Sequence, residues 1–438
     1  MPGILLAIGY TALLLYAMRR MPFFARVPGL PLRWVAGFFL LKIAAGTALW
    51  VVYTRIYPER VHADIFKFFD DSAVMFSALP ERPGDYLRML FAVGNDTPWF
   101  DERYYMVMNN WYRQFESNLY NDAHTMIRFN AALRLLSFGE YHVHTVFAAF
   151  CALAGMVGIH RAFVKELPGR ERALAWVVFA VPSVLFWASG VLKESLLFLG
   201  LGLLVWLVRR FLRGRFRWSD GPVLVACLLL LFTLKLYVLL SLVPALAAFA
   251  LARWSGRTLP SFAGVYALMV ALVVLSAQVP GWNVLDILAW KQWDFIGLAR
   301  ATEAGSFVAP EPLEPTLWSF VRHAPGALWS ATMGPLLHHA GGALGLATVA
   351  EGIALLALLA FCLWMRRPWH TLDGPLLLAL LAFCCTLLLV IGYTTPVMGA
   401  VVRYRTPMLP FLLIAALLVL DHHTVLQRWP RLKPLFHA

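Results

Sequence analysis

At 438 residues, with 61% hydrophobic and only 14% charged residues, the chain lies far outside the composition of soluble domains. Its net charge of +13 does not point to nucleic acid, because Lys and Arg form short clusters flanking apolar runs. Cys151, Cys227, Cys362, Cys384 and Cys385 lie inside such runs without metal-ligand spacing, which argues against a disulfide framework or a thiolate metal site.

A membrane-crossing helix needs about 20 apolar residues. Such segments fall near 3–18, 34–54, 143–163, 173–192, 195–209, 221–235, 237–252, 261–280, 342–365, 374–393 and 406–421. The chain is therefore expected to be an all-α polytopic membrane protein with about 11 transmembrane helices. The first is expected to be retained, since Arg19 and Arg20 follow the apolar stretch and no small-residue cleavage site appears. Arg19, Arg20, Arg26 and Arg33 share one connection, and Arg209, Arg210, Arg213, Arg215 and Arg217 crowd another. The positive-inside bias places both in the cytoplasm.

Segments bounded at both ends by basic clusters must then turn back. One lies between Arg170/Arg172 and Arg209/Arg210, with Gly190, Lys193 and Glu194 at its tip. The next ends at Arg253/Arg257 and carries Lys235 and Tyr237 at its tip. The last lies between Arg366/Arg367 and Arg428/Arg431, and its tip, 393–407, holds Arg403 and Arg405. All three tips are expected to face outward.

The chain thus divides into two spans (1–54), an acidic outer segment with amphipathic helices (55–142), spans three to eight (143–280), a second outer segment (281–341), and spans nine to eleven with a short cytoplasmic tail (342–438). Twelve of the 24 acidic residues fall in the first outer segment, opposite the basic tips, which implies a chamber carrying both signs of charge. Trp99, Trp111, Trp282, Trp290, Trp293, Trp318 and Trp329 interleave with charges in the two outer segments, as in helices at a bilayer interface. The stretch from Gly297 to Pro315 reads as a lid over the chamber.

After the second span comes His62-Ala-Asp64-Ile-Phe-Lys67-Phe-Phe-Asp70-Asp71. On a helix, Ile65, Phe68, Phe69, Phe76 and Leu79 form an apolar stripe, while Asp64, Lys67 and Asp71 share another face. The carboxylates read either as a general base with an electrostatic partner or as the solvated side of an interfacial helix. Lys193 and Glu194 follow Pro182-Ser-Val-Leu-Phe-Trp187-Ala-Ser-Gly190 where hydrocarbon ends, and Lys235 stands alone. Ionisable groups there are functional candidates unless they pair within a hairpin or snorkel. In Arg403-Tyr404-Arg405-Thr-Pro407-Met-Leu-Pro410, two guanidiniums suit recognition of a phosphate at the lipid boundary, the alternative being interfacial anchors.

Asp122, His124 and Arg128 lie on an expected amphipathic helix, 121–136, and Arg128 joins the substrate-binding candidates. His338/His339 and His422/His423 are adjacent pairs that face apart on a helix, which gives little support to a metal site. Walker A, dinucleotide and GxSxG motifs are absent, which argues against nucleotide-driven chemistry. No cofactor is called for; the charges leave room for a divalent metal without demanding one.

The acidic first outer segment, the basic tips and the terminal Arg-Tyr-Arg-x-Pro-x-x-Pro together resemble the GT-C superfamily of integral membrane glycosyltransferases. The likeness is strongest to bacterial relatives of the protein mannosyltransferase and lipid A aminoarabinose transferase type. Tyr53 to Leu79 is similar to the acidic first loop, Pro182 to Glu194 to a PSxxFWxSGxxKE element, and Arg403 to Pro410 to the start of the last helix. In those relatives the acidic loop commonly follows the first helix, whereas here it follows the second.

The resemblance implies transfer of a sugar from a polyprenyl-phosphate carrier to an envelope lipid, glycan or protein, on the outer face of a bacterial inner membrane. It makes Asp64 the leading base, with Asp70 and Asp71 as competitors or supports. Lys193, Arg403, Arg405 and Lys235 would stabilise the leaving phosphate, with Glu194 beside them. The alternatives are a lipid-linked saccharide flippase and a polysaccharide polymerase or ligase. A flippase would call for charges on several helices at the bilayer midplane and often for repeat symmetry.

Overall fold

The structure, a computed structural model, describes residues 2–56, 60, 63–112, 120–337 and 342–436. Its principal helices begin with α1 (Pro2–Arg20), α2 (Leu32–Ile56), α3 (Asp64–Glu81), α4 (Pro83–Phe91), α5 (Ala123–Ser137) and α6 (Tyr141–Phe163). There follow α7 (Glu171–Phe179), α8 (Pro182–Trp187), α9 (Lys193–Leu212), α10 (Asp220–Ser255), α11 (Thr258–Leu275) and α12 (Val284–Ala301). The chain continues with α13 (Leu317–Leu337), α14 (Ala343–Trp364), α15 (Gly374–Thr394), α16 (Met398–Tyr404) and α17 (Leu409–Val419). No strand occurs among the described residues, only isolated bridges.

Among the described residues nine helical stretches are long and apolar enough to cross a membrane: α1, α2, α6, α9, α10, α11, α14, α15 and the joined α16–α17 stretch Met398–Val419. The chain is an all-α, membrane-embedded protein. Two differences separate these nine from the 11 expected segments. The 173–192 run is broken: α7 stops at Phe179 and α8 restarts at Pro182, so neither piece is long enough to span. Pro182 lacks an N–H and disfavours helix in the residue before it, which accounts for the break. The 221–235 and 237–252 runs form one helical segment, α10, interrupted where the Lys235 backbone leaves helical geometry (φ −151°, ψ 79°).

The last expected span also begins earlier than 406, at Met398, so Arg403 and Arg405 lie inside a helical stretch rather than on a tip ahead of it. Arg170, read in the sequence as topogenic charge, is buried and donates to the Leu417 carbonyl at the end of α17. Cations suit that position because the last carbonyls of a helix have no intrahelical partner.

The chain forms two compact units. The first comprises Met1–Val164, Val178–Ala180 and Val184–Leu236, and the second comprises Lys165–Val177, Val181–Ser183 and Tyr237–Ala438. In the first unit α6 packs along α9 at glycine-lined contact. A Cβ on Gly155 would overlap the Phe198 carbonyl, and one on Gly202 would overlap the Gly155 carbonyl. Small residues let apolar helices approach closely where lipid supplies no hydrophobic force between them.

Gly155→Leu should therefore destabilise by roughly 1–3 kcal/mol or more through overpacking. Gly9→Leu, with nothing within 4 Å of its Cβ, should be neutral. Thermal unfolding of both variants in detergent is the check.

The polar segment after α2 folds as a layer of α3, α4 and α5. Phe68, Met75, Tyr86, Met89, Phe100, Tyr105, Trp111, Met126 and Ile127 form its core, together with Leu196 of α9 and Leu234 of α10. In the second unit α13 packs against α15 so closely that a Cβ on Gly392 would overlap the Ala327 carbonyl. On α12, Trp290 and Trp293 are 63% and 61% exposed, the pattern of a helix lying at an apolar–polar boundary.

Candidate functional site

The three candidate carboxylates of α3 occupy different environments. Asp64 opens the helix, where a negative charge is favoured by the peptide dipoles. Its Oδ1 lies 3.8 Å from Lys67 Nζ at i,i+3, and its side chain remains 42% exposed. Asp70 accepts two bonds from the Arg60 guanidinium, at 2.7 and 2.8 Å. Asp71 is buried and accepts the backbone amides of Asn109 and Asn110, both at 2.8 Å, anchoring the 109–112 loop to the helix. Burial raises its pKa, and the two amide bonds oppose that rise.

Lys193 and Glu194 form ion pairs, but not with each other. Lys193 at the start of α9 bonds Asp122 Oδ2 at 2.8 Å, and its Nζ stands 5.1 Å from the centre of the Phe68 ring. Phe68 lies one turn from Asp64 and one turn from Asp71, so this cation shares a stretch of α3 with both carboxylates. Glu194 is fully buried and receives Lys235 Nζ at 2.8 Å, at the interruption of α10. The lysine that stands alone in sequence thus meets a carboxylate 41 residues away.

Arg128 is half-buried at the edge of the polar layer. Its Nε donates to the Met89 carbonyl at 2.9 Å and an Nη to the Tyr120 hydroxyl at 2.8 Å. Its guanidinium lies 5.3 Å from the Trp111 ring centre, and Trp111 itself stacks between Tyr105 and His124. His124 also bonds the Trp111 carbonyl, at 2.7 Å.

One residue of this unit escaped the sequence reading. Lys42, in the middle of α2, is fully buried and donates to the Ala188 carbonyl at 3.0 Å and to Ser189 Oγ at 3.1 Å. It thereby holds the turn that leads into Lys193 and Glu194. A lone lysine inside the 34–54 apolar run was the available signal.

In the second unit Arg403 and Arg405 are both buried. Thr406 Oγ1 donates to the Arg403 carbonyl at 2.7 Å, closing the turn between α16 and α17. Arg405 donates to the Thr332 carbonyl over a long 3.4 Å, and its Nε has no hydrogen-bond partner among the described residues. Glu351, an acid within apolar α14, is a second missed residue, and its carboxylate accepts the Ser183 amide at 2.9 Å. Its position inside a 22-residue apolar helix was the signal.

The 297–315 stretch, read as a lid, is fastened to the chain after α15. Met398 N donates to Ser306 O at 3.0 Å and Val308 N to Pro396 O at 2.8 Å. Gln292 donates to the Tyr393 and Glu311 carbonyls and accepts from Leu313 N. His62 and the His338/His339 pair lie outside the described residues. His422 and His423 have ring centres 4.0 Å apart, and no group of three or more potential metal ligands occurs among the described residues.

Within the first unit the fold therefore brings Lys193 to Asp122 and to Phe68 of α3, and pairs Glu194 with Lys235. Arg403 and Arg405 belong to the second unit. No protein-family model, curated protein or solved structure matches the chain.

Proposed function

We propose that this protein is a membrane glycosyltransferase that moves a sugar from a polyprenyl-phosphate carrier to a lipid, glycan or protein acceptor. The observation that carries the reading is Arg405. A guanidinium buried among apolar helices, with one long hydrogen bond and an Nε that has no hydrogen-bond partner among the described residues, is suited to an incoming anion. The phosphate of a lipid carrier is the anion that occurs at such a boundary, and the planar fork of arginine matches it.

In this reading Asp64, the most accessible of the three α3 carboxylates, takes the proton of the acceptor hydroxyl. The hydroxyl oxygen attacks the anomeric carbon and the lipid phosphate departs, its charge stabilised by cationic side chains. Asp70 and Asp71 act as supports through Arg60 and the 109–112 loop, and Lys193, Glu194, Lys235 and Arg128 complete the substrate-binding set. The basic clusters favour an orientation with the acidic segment outside, and the GT-C resemblance favours a bacterial inner-membrane protein.

The test is transfer by purified protein from synthetic polyprenyl-phospho-sugars. Arg405→Ala should lower turnover by roughly 10²–10³. Arg405→Lys should recover only part of it, because an ammonium lacks the bidentate fork. Wild-type turnover matched by the alanine variant would refute the reading.

A second reading, a lipid-linked saccharide flippase, is favoured by a separate observation. Lys42 lies buried inside α2, and the Glu194–Lys235 pair sits at an interrupted helix, features that recur in transporters. Wild-type protein inert in transfer yet able to scramble lipid-linked saccharide across vesicles would select it.

A further inference from the structure

In the second unit α14, α15 and α17 leave a groove of about 250 Å³. Leu359, Leu377, Leu381, Leu412 and Ala416 line it, with Trp369 from the connection between α14 and α15. None of its lining residues is charged. Leu412, the lining residue nearest to Arg405 in the chain, follows it by about 10 Å of helix at roughly 1.5 Å per residue, and neither Arg403 nor Arg405 lines the groove.

Water gains nothing in an all-apolar space of this kind. The chemistry changes sharply at the Trp369 edge. The exposed guanidinium of Arg366 stands over the Trp369 ring, 4.8 Å from its centre. Arg428 is stacked on Trp364 and Trp429 close to the same helix ends. Of the acids at these helix ends, Asp373 is paired with Arg253, and Asp421 accepts from the Thr424 hydroxyl at 2.7 Å. An apolar slot, an indole at its edge and a cation on that indole reproduce, in order, the tail, interface and headgroup of a lipid.

We propose that the groove holds one acyl chain of an anionic phospholipid, whose phosphate is bound by Arg366. The site is independent of the proposed sugar transfer. A zwitterionic phospholipid offers the same chain but cancels the charge that Arg366 would meet, so the groove discriminates by headgroup.

The experiment uses the full-length protein in phosphatidylcholine vesicles doped with phosphatidylglycerol carrying a photoactivatable group in one acyl chain. Phosphatidylcholine with the same label serves as comparison. After irradiation, labelled peptides are mapped by mass spectrometry. Phosphatidylglycerol should label the 359–381 and 412–419 segments at least about threefold more than phosphatidylcholine does. Ala416→Trp should remove that labelling by filling the groove. Arg366→Gln, a change at an exposed position, should bring phosphatidylglycerol down to the phosphatidylcholine level while leaving the latter unchanged.

Equal labelling by the two lipids, or labelling indifferent to both substitutions, would overturn the proposal. Displacement by polyprenyl phosphate but not by unlabelled phosphatidylglycerol would overturn it in favour of the carrier lipid. A dimer dispersed by Ala416→Trp, with no lipid labelling in wild type, would assign the groove to a second copy.

Discussion

Asp64→Asn should lower sugar transfer by about 10²–10⁴ while leaving the fold intact. The substitution is nearly isosteric, and the side chain is 42% exposed with its Lys67 partner at 3.8 Å. An exposed pair of that kind contributes only about 0–1 kcal/mol. Loss of activity without loss of thermal stability would thus report a missing proton acceptor and not a damaged helix. Asp70→Asn and Asp71→Asn make the comparison informative. The first frees Arg60, and the second gives up one of two backbone amides by presenting an NH₂ where a carboxylate oxygen accepts. Both should lower stability more than Asp64→Asn and activity less. Wild-type turnover in Asp64→Asn, with loss only in Asp71→Asn, would move the base to Asp71.

The second large effect is read in stability and holds whatever the protein transfers. Glu194 and Lys235 are bonded at 2.8 Å with side chains 0% and 4% exposed. Removing either partner breaks a buried ion pair, at a cost of about 3–5 kcal/mol. Glu194→Gln and Lys235→Met should each lower the unfolding temperature strongly. The double variant should be more stable than either single variant, because neutral neighbours need no partner. Additive losses in this double-mutant cycle would show that the two side chains do not depend on each other.

The membrane class was legible because it rests on short-range quantities, the length and apolarity of each run. The helices at Gly3–Arg20, Leu32–Arg55 and Tyr141–Glu166 lie close to the expected 3–18, 34–54 and 143–163. Hydropathy was a poorer guide where backbone chemistry competed with it. The 173–192 run is apolar throughout much of its length, yet Pro182 divides it. In the opposite sense, Arg403 and Arg405 drew the expected start of the last span to 406, whereas helical structure begins at Met398 and buries both. Charge lowers the hydropathy of a window but does not stop a helix.

The candidate residues divide in the same way. The Asp64–Lys67 pairing is a helical i,i+3 relation and was visible as a shared face. Lys193 with Asp122, Lys235 with Glu194 and Lys42 with the 188–189 turn join residues far apart in the chain, so nothing local specifies them. By itself the sequence determined an all-α protein built from membrane-length apolar helices, with its acids concentrated in one polar segment. Only the tertiary structure decided which carboxylate stays accessible and which cation each buried acid meets. The reason is physical: burial and ion pairing depend on which helices pack together, whereas apolar length is a property of each helix alone.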